Sequence, residues 1–186
     1  MARKLIEEYK KWELEVNITK TECMTVGGPQ ENIVLEDGSV IKNCDKYKKY
    51  LGLKITNDGK LDEGIKDRIM QGRRAISVLN GVLRDQGISK ANKKNIYNTV
   101  VKSIITYGSE VWREKQNREN MLSATEMDYW RRSAGKTKRE QITNNRVREI
   151  MGAEHTIVDD IRTKQLIWFG HVQRMPDHRI PKQILL

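Results

Sequence analysis

Positively charged side chains are clustered in two stretches of this sequence, and clusters of this kind attract polyanions. Residues 131–150 contain seven Lys or Arg and two Glu, and residues 42–60 contain six Lys and two Asp. The whole chain carries a formal charge of +10 over 186 residues. Nucleic acid is the first partner that such a surface predicts, and an anionic membrane is the second. A surface that is charged only for solubility is the alternative.

Adjacent carboxylates at Asp159 and Asp160 are the residues that could be mistaken for a metal site. Two-metal phosphoryl transfer needs clustered carboxylates to hold the ions. This pair, however, follows Thr156 at the start of an apolar helical pattern, where acidic side chains offset the helix dipole and cap free N–H groups. We therefore interpret the pair as a helix start. The three histidines and two cysteines show no zinc spacing, and we expect no metal or other cofactor in this chain.

The predicted secondary structure that must position these groups changes from mainly strands to helices near residue 60. Before it, the pattern predicts a short helix over 3–13 and short strands over 14–16, 22–26, 33–35, 40–41 and 47–56. Asp37-Gly38 lies between two apolar runs and predicts a hairpin. Asn57-Asp58-Gly59 is expected to stop the last strand.

After residue 60 the apolar residues recur at helical spacing. They predict helices over 61–84, 89–107 and 118–133, a short helix ending at Gly152, and another from Thr156 to Met175. Gly87 separates the first two, which we expect to be antiparallel neighbours, and Ser89 is expected to cap the second. The tail after Pro176 is expected to be extended. The predicted fold class is α+β.

The sequence contains no apolar run of membrane-spanning length, and the segment at Met1 lacks a signal-peptide core. We therefore expect an intracellular protein, nuclear or cytoplasmic, with no membrane partner. Cys23 and Cys44 are expected to be free thiols in a reducing compartment.

Four stretches stand out in this order: residues 14–21, 50–52, 105–112 and 168–175. They resemble segments of LINE-type (non-LTR) retrotransposon reverse transcriptases. Residues 14–21 resemble the G-L-x-x-N-x-x-K-T segment called motif D, with Glu13 in place of its usual glycine. Tyr50-Leu51-Gly52 resembles motif E, the primer grip. Residues 105–112 are similar to the Y-G-x-E-x-W after the second thumb helix, and residues 168–175 to the late W-x-G-H-x-x-R-M. Together the four stretches extend over nearly the whole chain.

The resemblance implies three regions: a small antiparallel β subdomain at the palm edge over 1–60, a thumb-like helical hairpin over 61–115, and a basic C-terminal helical region over 116–186. It places the metal-binding carboxylates upstream of this sequence, so Mg²⁺ is expected only in the complete polymerase. The expected function is to grip the template–primer, an RNA–DNA hybrid or other duplex, without polymerising alone. The missing palm portion is a further expected partner.

The resemblance also assigns roles to individual residues. Lys20 would be the general acid that protonates departing pyrophosphate in a complete palm; in this chain alone it is more simply a solvated lysine. Tyr50, Leu51 and Gly52 would contact the primer, or would form a core strand with a bulge glycine. Basic residues expected to contact phosphates are Arg68, Arg73, Arg74, Arg84, Lys90, Lys93, Lys94, Lys136, Lys138 and Arg139. For any one of these residues, a solvated surface charge is the simpler interpretation.

Two other functional classes fit the same sequence. One is a stand-alone basic nucleic-acid-binding module without sequence specificity. The other is a non-functional or protein-interaction remnant, which would expose strand edges and apolar patches. Trp112, Trp130 and Trp168 lie in apolar patterns, so core packing is expected of them more than base stacking.

Overall fold

The computed structural model describes residues 2–50, 52–113 and 115–185. The chain divides into two units, residues 1–64 and residues 65–186. Short strands characterise the first unit and helices the second, which confirms the α+β fold class.

Helix α1 (Ala2–Lys11) confirms the predicted N-terminal helix and ends in a Schellman motif. The Leu14 N–H donates to the Tyr9 carbonyl at 3.0 Å, and the Glu13 N–H donates to the Lys10 carbonyl at 3.1 Å. Glu13 has φ +56°, a left-handed conformation that glycine adopts more readily. The strand predicted over 14–16 is wrong, because the chain leaves this motif without pairing and enters a short 3-10 turn, Ile18–Lys20.

Strands β1 (Glu22–Cys23), β2 (Ile33–Val34) and β3 (Val40–Asn43) form a sheet in the order β1-β3-β2. The β2–β3 pair is the predicted hairpin, with Gly38 at φ +81° in its turn. The Asp37 carboxylate accepts from the Ser39 N–H at 3.0 Å and stabilises that turn. An antiparallel sheet was expected, but the β1–β3 pair is parallel. The segment between these two strands, which includes β2, provides the long return connection that a parallel pair needs.

Strands β4 (Lys46–Tyr50) and β5 (Leu53–Thr56) form an antiparallel hairpin. The single strand predicted over 47–56 is therefore wrong. Tyr50 pairs with Leu53, and Gly52 in the tight turn between them has φ +78°. That conformation reverses the chain direction at little cost only for glycine. The predicted stop after β5 is confirmed by the turn at Gly59, whose N–H donates to the Thr56 carbonyl at 3.0 Å.

Helices α2 (Asp62–Val78) and α3 (Asn80–Arg84) cover the predicted first helix, with an interruption at Leu79. The predicted second helix consists of α4 (Lys90–Ile96), a π-helical turn over Tyr97–Val101, and α5 (Lys102–Ile105). Ser89 caps α4 as expected, accepting from the Asn92 N–H at 3.2 Å.

The two helical stretches are antiparallel, as predicted, because their contacts run in opposite order. The Arg68 guanidinium lies 4.3 Å from the centre of the Tyr107 ring, and one turn later Gly72 faces Ile105. A Cβ at Gly72 would lie 2.3 Å from Ile105 Cγ1, so the glycine permits this close approach of the helices.

Helices α6 (Gln116–Ser133), α7 (Asn144–Met151) and α8 (Ile157–Gln173) complete the predicted helical series. The tail predicted to be extended instead contains α9 (Ile180–Leu185), with Pro181 in the first turn, where proline is tolerated. The core of this unit is formed by apolar stripes and by an aromatic cluster. Its most buried side chains include Ile65, Ile69, Ile76, Leu83, Val101, Ile105, Tyr129, Trp130, Val147, Ile157 and Val172.

Candidate nucleic-acid interface

Three arginines lie along the seam between α2–α3 and α6, and we call this group the basic strip: Arg73, Arg84 and Arg132. Arg73 Nε donates to the Thr125 hydroxyl at 3.1 Å. Farther along, the Asn80 side-chain oxygen accepts from Arg132 Nη1 at 2.8 Å and from Arg84 Nε at 3.3 Å. Contacts between residues 52 positions apart therefore bring these guanidinium groups onto one seam.

The acceptors that orient the strip are mostly neutral, so most of its charge remains uncompensated. Thr125 and Asn80 carry no charge. Asp128 is the exception, and it forms an ion pair with Arg132 at 3.1 Å. Three guanidinium groups against one carboxylate leave two net positive charges along the seam. Such a surface favours phosphate contacts that carry no base information.

The other basic residues predicted on the helical hairpin occupy different environments. Arg74 is exposed on α2, and Lys90 is exposed at the start of α4. Arg68 stacks on the Tyr107 ring. Lys94 Nζ donates to the Gly152 carbonyl at 2.7 Å and so satisfies the C-terminus of α7. Arg74 and Lys90 are thus presented to solvent, while Arg68 and Lys94 also make contacts within the unit.

Lys93, which is among the residues expected to contact phosphates, lies inside the helical unit. The residue is only 5% exposed, and its Nζ donates to the Ser133 carbonyl at 3.2 Å. Its own carbonyl accepts from the Tyr129 hydroxyl at 2.6 Å. Lys93 therefore satisfies the C-terminus of α6 from inside the unit.

The second predicted cluster lies in the turn after α6. Lys138 and Arg139 are exposed there, in a 3-10 turn that the side chains of Thr137 and Glu140 cap reciprocally. Lys136 forms an ion pair with Glu140 at 3.0 Å. The Thr137 N–H and the Lys136 ammonium hold the pKa of Glu140 below its usual range. Arg131 and Arg132, which precede this turn, were part of the basic run but were not among the predicted contact residues.

The candidates in the first unit lie in two turns. Lys20 is exposed at the end of the turn Ile18–Lys20, and its N–H donates to the Asn17 side-chain oxygen at 3.1 Å. Gly52 is exposed in the β4–β5 turn and Tyr50 ends β4, whereas Leu51 lies outside the described residues.

The Asp159–Asp160 pair serves a helix start, as predicted. The Asp159 carboxylate accepts from the Thr156 hydroxyl and from the Thr156 N–H, the latter at 3.0 Å. These two hydrogen bonds hold the pKa of Asp159 below its usual range. Asp160 forms an ion pair with Lys102 at 2.8 Å. Within residues 2–50, 52–113 and 115–185, no group of three or more His, Cys, Asp or Glu side chains could hold a metal ion.

Among the helices that the structure describes, none is both long and apolar enough to span a bilayer.

The tryptophans follow the packing prediction. Trp112 and Trp130 are buried, at 8% and 2% exposure. Trp168 is half-buried, with its ring centre 5.6 Å from that of His171. Trp112 and Trp130 are thus inaccessible for stacking on bases.

A buried polar centre that the sequence did not predict lies at Glu126, which is fully buried on α6. Its carboxylate accepts from the Tyr97 hydroxyl at 3.2 Å, the Ile157 N–H at 3.1 Å and Arg148 at 3.1 Å. Burial raises the pKa of Glu126, and the Arg148 guanidinium opposes that rise. Burial, reinforced by the Glu126 carboxylate, also raises the pKa of Tyr97. The group joins α4–α5, α6, α7 and α8 and so holds the helical unit together.

Comparisons with known proteins indicate where the chain comes from. No protein-family model matches it, and no solved structure matches it significantly. A Caenorhabditis elegans protein, whose name describes it as transposon-derived and uncharacterized, is 26% identical over 194 residues. The match covers 96% of this chain and spans 66% of the length of that relative. The similarity supports a transposon-derived origin.

Proposed function

We propose that this chain is the template–primer-gripping C-terminal region of an RNA-directed DNA polymerase from a non-LTR retrotransposon. The observation that carries the proposal is the basic strip, in which Arg73, Arg84 and Arg132 converge on one seam between packed helices. The four motif-like stretches, in order, and the transposon-derived relative support the same conclusion.

The strip suits a duplex better than a base-specific target. Its guanidinium groups stand on helices, so they can meet successive phosphates of a regular backbone. Contacts to phosphate position a duplex without reading its sequence, and each neutralised phosphate releases condensed counterions. We therefore expect binding to any duplex, with a preference for an RNA–DNA hybrid, and a steep loss of affinity as salt rises.

Two backbone features support the resemblance in the first unit. Glu13 stands where the family carries glycine, and its left-handed φ of +56° is the conformation in which glycine is favoured. Gly52, the glycine of the motif E-like triplet, has φ +78° in an exposed turn. An exposed turn containing glycine permits close approach of a phosphate to backbone N–H groups, as a primer grip requires.

The decisive experiment measures duplex affinity by fluorescence anisotropy over a range of salt concentrations. Reversing Arg73 and Arg74 to Glu should weaken binding to all duplexes alike. It should flatten the log–log salt slope by about 0.9 for each lost phosphate contact. The matched control reverses Arg174 and Arg179, which are exposed near the end of the chain and outside the strip. Equal losses in both variants, or binding to one sequence only, would contradict the proposal.

Catalysis is assigned to the complete polymerase and not to this chain alone. Lys20 would act as general acid only in a palm that also supplies the carboxylates and their Mg²⁺. Primer extension on an RNA template with Mg²⁺ and nucleotides should therefore yield no product. Extension that disappears in Lys20→Ala would show that the chain holds an active site of its own.

A protein-interaction role is the second candidate, and apolar exposure in the first unit favours it. Trp12 is 76% exposed and Leu14 is 56% exposed, both next to the end of α1. Exposed apolar side chains that lie together often mark a protein contact. The missing palm portion is the partner that the resemblance suggests. Binding of a palm portion that Trp12→Gln and Leu14→Gln abolish, without duplex binding, would favour this candidate over the grip.

A further inference from the structure

An open cavity of about 370 Å³ lies between α6 and the segment that leads into α7. This is well above the roughly 10–15 Å³ of accessible space that is enough to hold one water. Its polar lining is formed by Asp128, Arg131, Lys138, Gln141 and Asn144. The polar groups converge from a helix on one side and a turn on the other, so they are held on separate elements.

Arg131 brings an uncompensated charge to this cavity. Its Nη2 donates to the Ile142 carbonyl at 2.7 Å and to the Asn144 side-chain oxygen at 2.9 Å, and both acceptors are neutral. Its Nη1 is buried without a hydrogen-bond partner among the described residues. Buried charge is costly unless an opposite charge lies nearby. A neighbouring anion would offset that cost through Coulomb attraction even without touching Nη1.

The remaining charges around the cavity do not supply that anion. Asp128 also lines it, but both of its oxygens are taken by Arg132, with Nε at 3.2 Å and Nη2 at 3.1 Å. Lys138 is exposed and forms no ion pair with a carboxylate in the described part of the chain. The neighbouring carboxylate of Glu140 is engaged by Lys136 instead. Two cations therefore face one cavity, and their repulsion is relieved when an anion binds between them.

We propose that this cavity binds a phosphate group. Lys138 would contact the phosphate directly through its ammonium group. Arg131, in the cavity wall, would attract the phosphate electrostatically without touching it. The Asn144 oxygen accepts from Arg131, which leaves the amide nitrogen of Asn144 to donate to a phosphate oxygen. Asn144 is also the first residue of α7, where the helix dipole favours negative charge.

The source of the phosphate follows from the neighbourhood of the cavity. Asp128 lines the cavity and also holds Arg132 of the basic strip, so cavity and strip adjoin. A phosphodiester of the duplex on the strip is therefore the expected occupant, and in this respect the inference rests on the proposed function. A free phosphate or a nucleotide phosphate presents the same oxygens and is the other source.

The test titrates the whole chain with inorganic phosphate and follows the backbone amide resonances of residues 128–144 by NMR. Lys138→Gln should weaken phosphate binding about tenfold, the loss expected when one charge-assisted hydrogen bond is removed. Arg131→Gln should weaken it as well, although that change also removes the bonds to Ile142 and Asn144. The matched control is Arg146→Gln on α7, since Arg146 is exposed, is paired with Glu149 and does not line the cavity.

The affinity of the same variants for a duplex identifies the source of the phosphate. If Lys138→Gln flattens the duplex salt slope by about 0.9 and Arg146→Gln does not, a backbone phosphate occupies the cavity. If phosphate binds at these residues while Lys138→Gln leaves duplex binding unchanged, the cavity takes a free phosphate.

Phosphate that perturbs no resonance of the lining, together with equal duplex affinities of Lys138→Gln and Arg146→Gln, would overturn the inference. Duplex binding that depends on Arg73 would then leave the grip intact. If the wild-type chain binds phosphate in the cavity but no duplex, the grip fails and the cavity stands as an anion site.

Discussion

Removing the buried carboxylate of Glu126 should cost far more stability than removing an exposed carboxylate such as that of Glu149. Glu126→Ala leaves the guanidinium of Arg148, whose side chain is only 17% exposed, without its partner. Breaking a buried ion pair in this way costs about 3–5 kcal/mol. The Tyr97 hydroxyl and the Ile157 N–H lose their acceptor as well. The expected loss is therefore at least ~3 kcal/mol, against a typical domain stability of about 5–15 kcal/mol.

The chemistry of the replacement separates charge from hydrogen bonding. Glu126→Gln keeps an oxygen that can accept from Tyr97 and Ile157, so it should lose less stability than Glu126→Ala. The double variant Glu126→Leu with Arg148→Met removes both charges, and it should be more stable than either single change.

The pH dependence of unfolding follows from the raised pKa of Glu126. A carboxyl whose folded pKa lies above its unfolded value favours the folded state at low pH, and that contribution is lost as pH rises through the folded pKa. Arg148 opposes the rise in the wild-type protein. Arg148→Met should raise the pKa of Glu126 further, so the stability of this variant should fall more steeply from pH 5 to pH 8.

Urea unfolding followed by circular dichroism at the two pH values measures these effects. The matched control is Glu149→Ala, which removes a carboxylate paired with Arg146 at 2.8 Å where both side chains are well exposed. That change should cost under about 0.5 kcal/mol. A loss below ~1 kcal/mol for Glu126→Ala, or an Arg148→Met variant insensitive to pH, would refute the reasoning, since exposed pairs behave in that way.

Three smaller changes test the backbone and the helix contacts, each by thermal or urea unfolding. Glu13→Gly should stabilise the first unit by about 1 kcal/mol, because Glu13 is held at φ +56°; a lower melting temperature would contradict this. Gly72→Ala should cost about 1–3 kcal/mol through overlap with Ile105, whereas Gly81→Ala, with nothing within 4 Å of the new Cβ, should not destabilise. Ser89→Ala should cost about 1 kcal/mol by removing the α4 cap, and an unchanged midpoint would rule out that cap's contribution.

The helices were predictable because apolar periodicity and capping chemistry are local. The stripe from Ile65 to Leu83 and the Ser89 cap can be read within a few residues. The β4–β5 turn was missed because the sequence around Gly52 contains no Asn-Gly or Asp-Gly pair, the pairs that indicate a two-residue hairpin. The alternating residues around that turn therefore look like one strand.

The environments of single charged residues could not be predicted, because they depend on residues far away in the chain. Lys93 lies among exposed positions in α4, yet its ammonium is buried and donates to the carbonyl of Ser133, 40 residues away. Asn80 gives no indication in the sequence that it will orient Arg132. Periodicity shows which face of a helix is polar, but it does not show which polar side chains a second helix will cover.

The hydrogen bonds that orient the arginines of the basic strip should affect its affinity for a duplex. Most exposed arginines move freely and lose side-chain entropy when they contact a phosphate. Arg73 and Arg84 are instead oriented before binding, by a hydroxyl and an amide that leave their charge intact. Part of the entropy is therefore lost during folding, and binding requires less ordering. Thr125→Val should accordingly weaken duplex binding while preserving the total charge, because Arg73 would lose its acceptor. An unchanged affinity in Thr125→Val, together with a loss in Arg73→Gln, would show that the charge of Arg73 matters and its orientation does not.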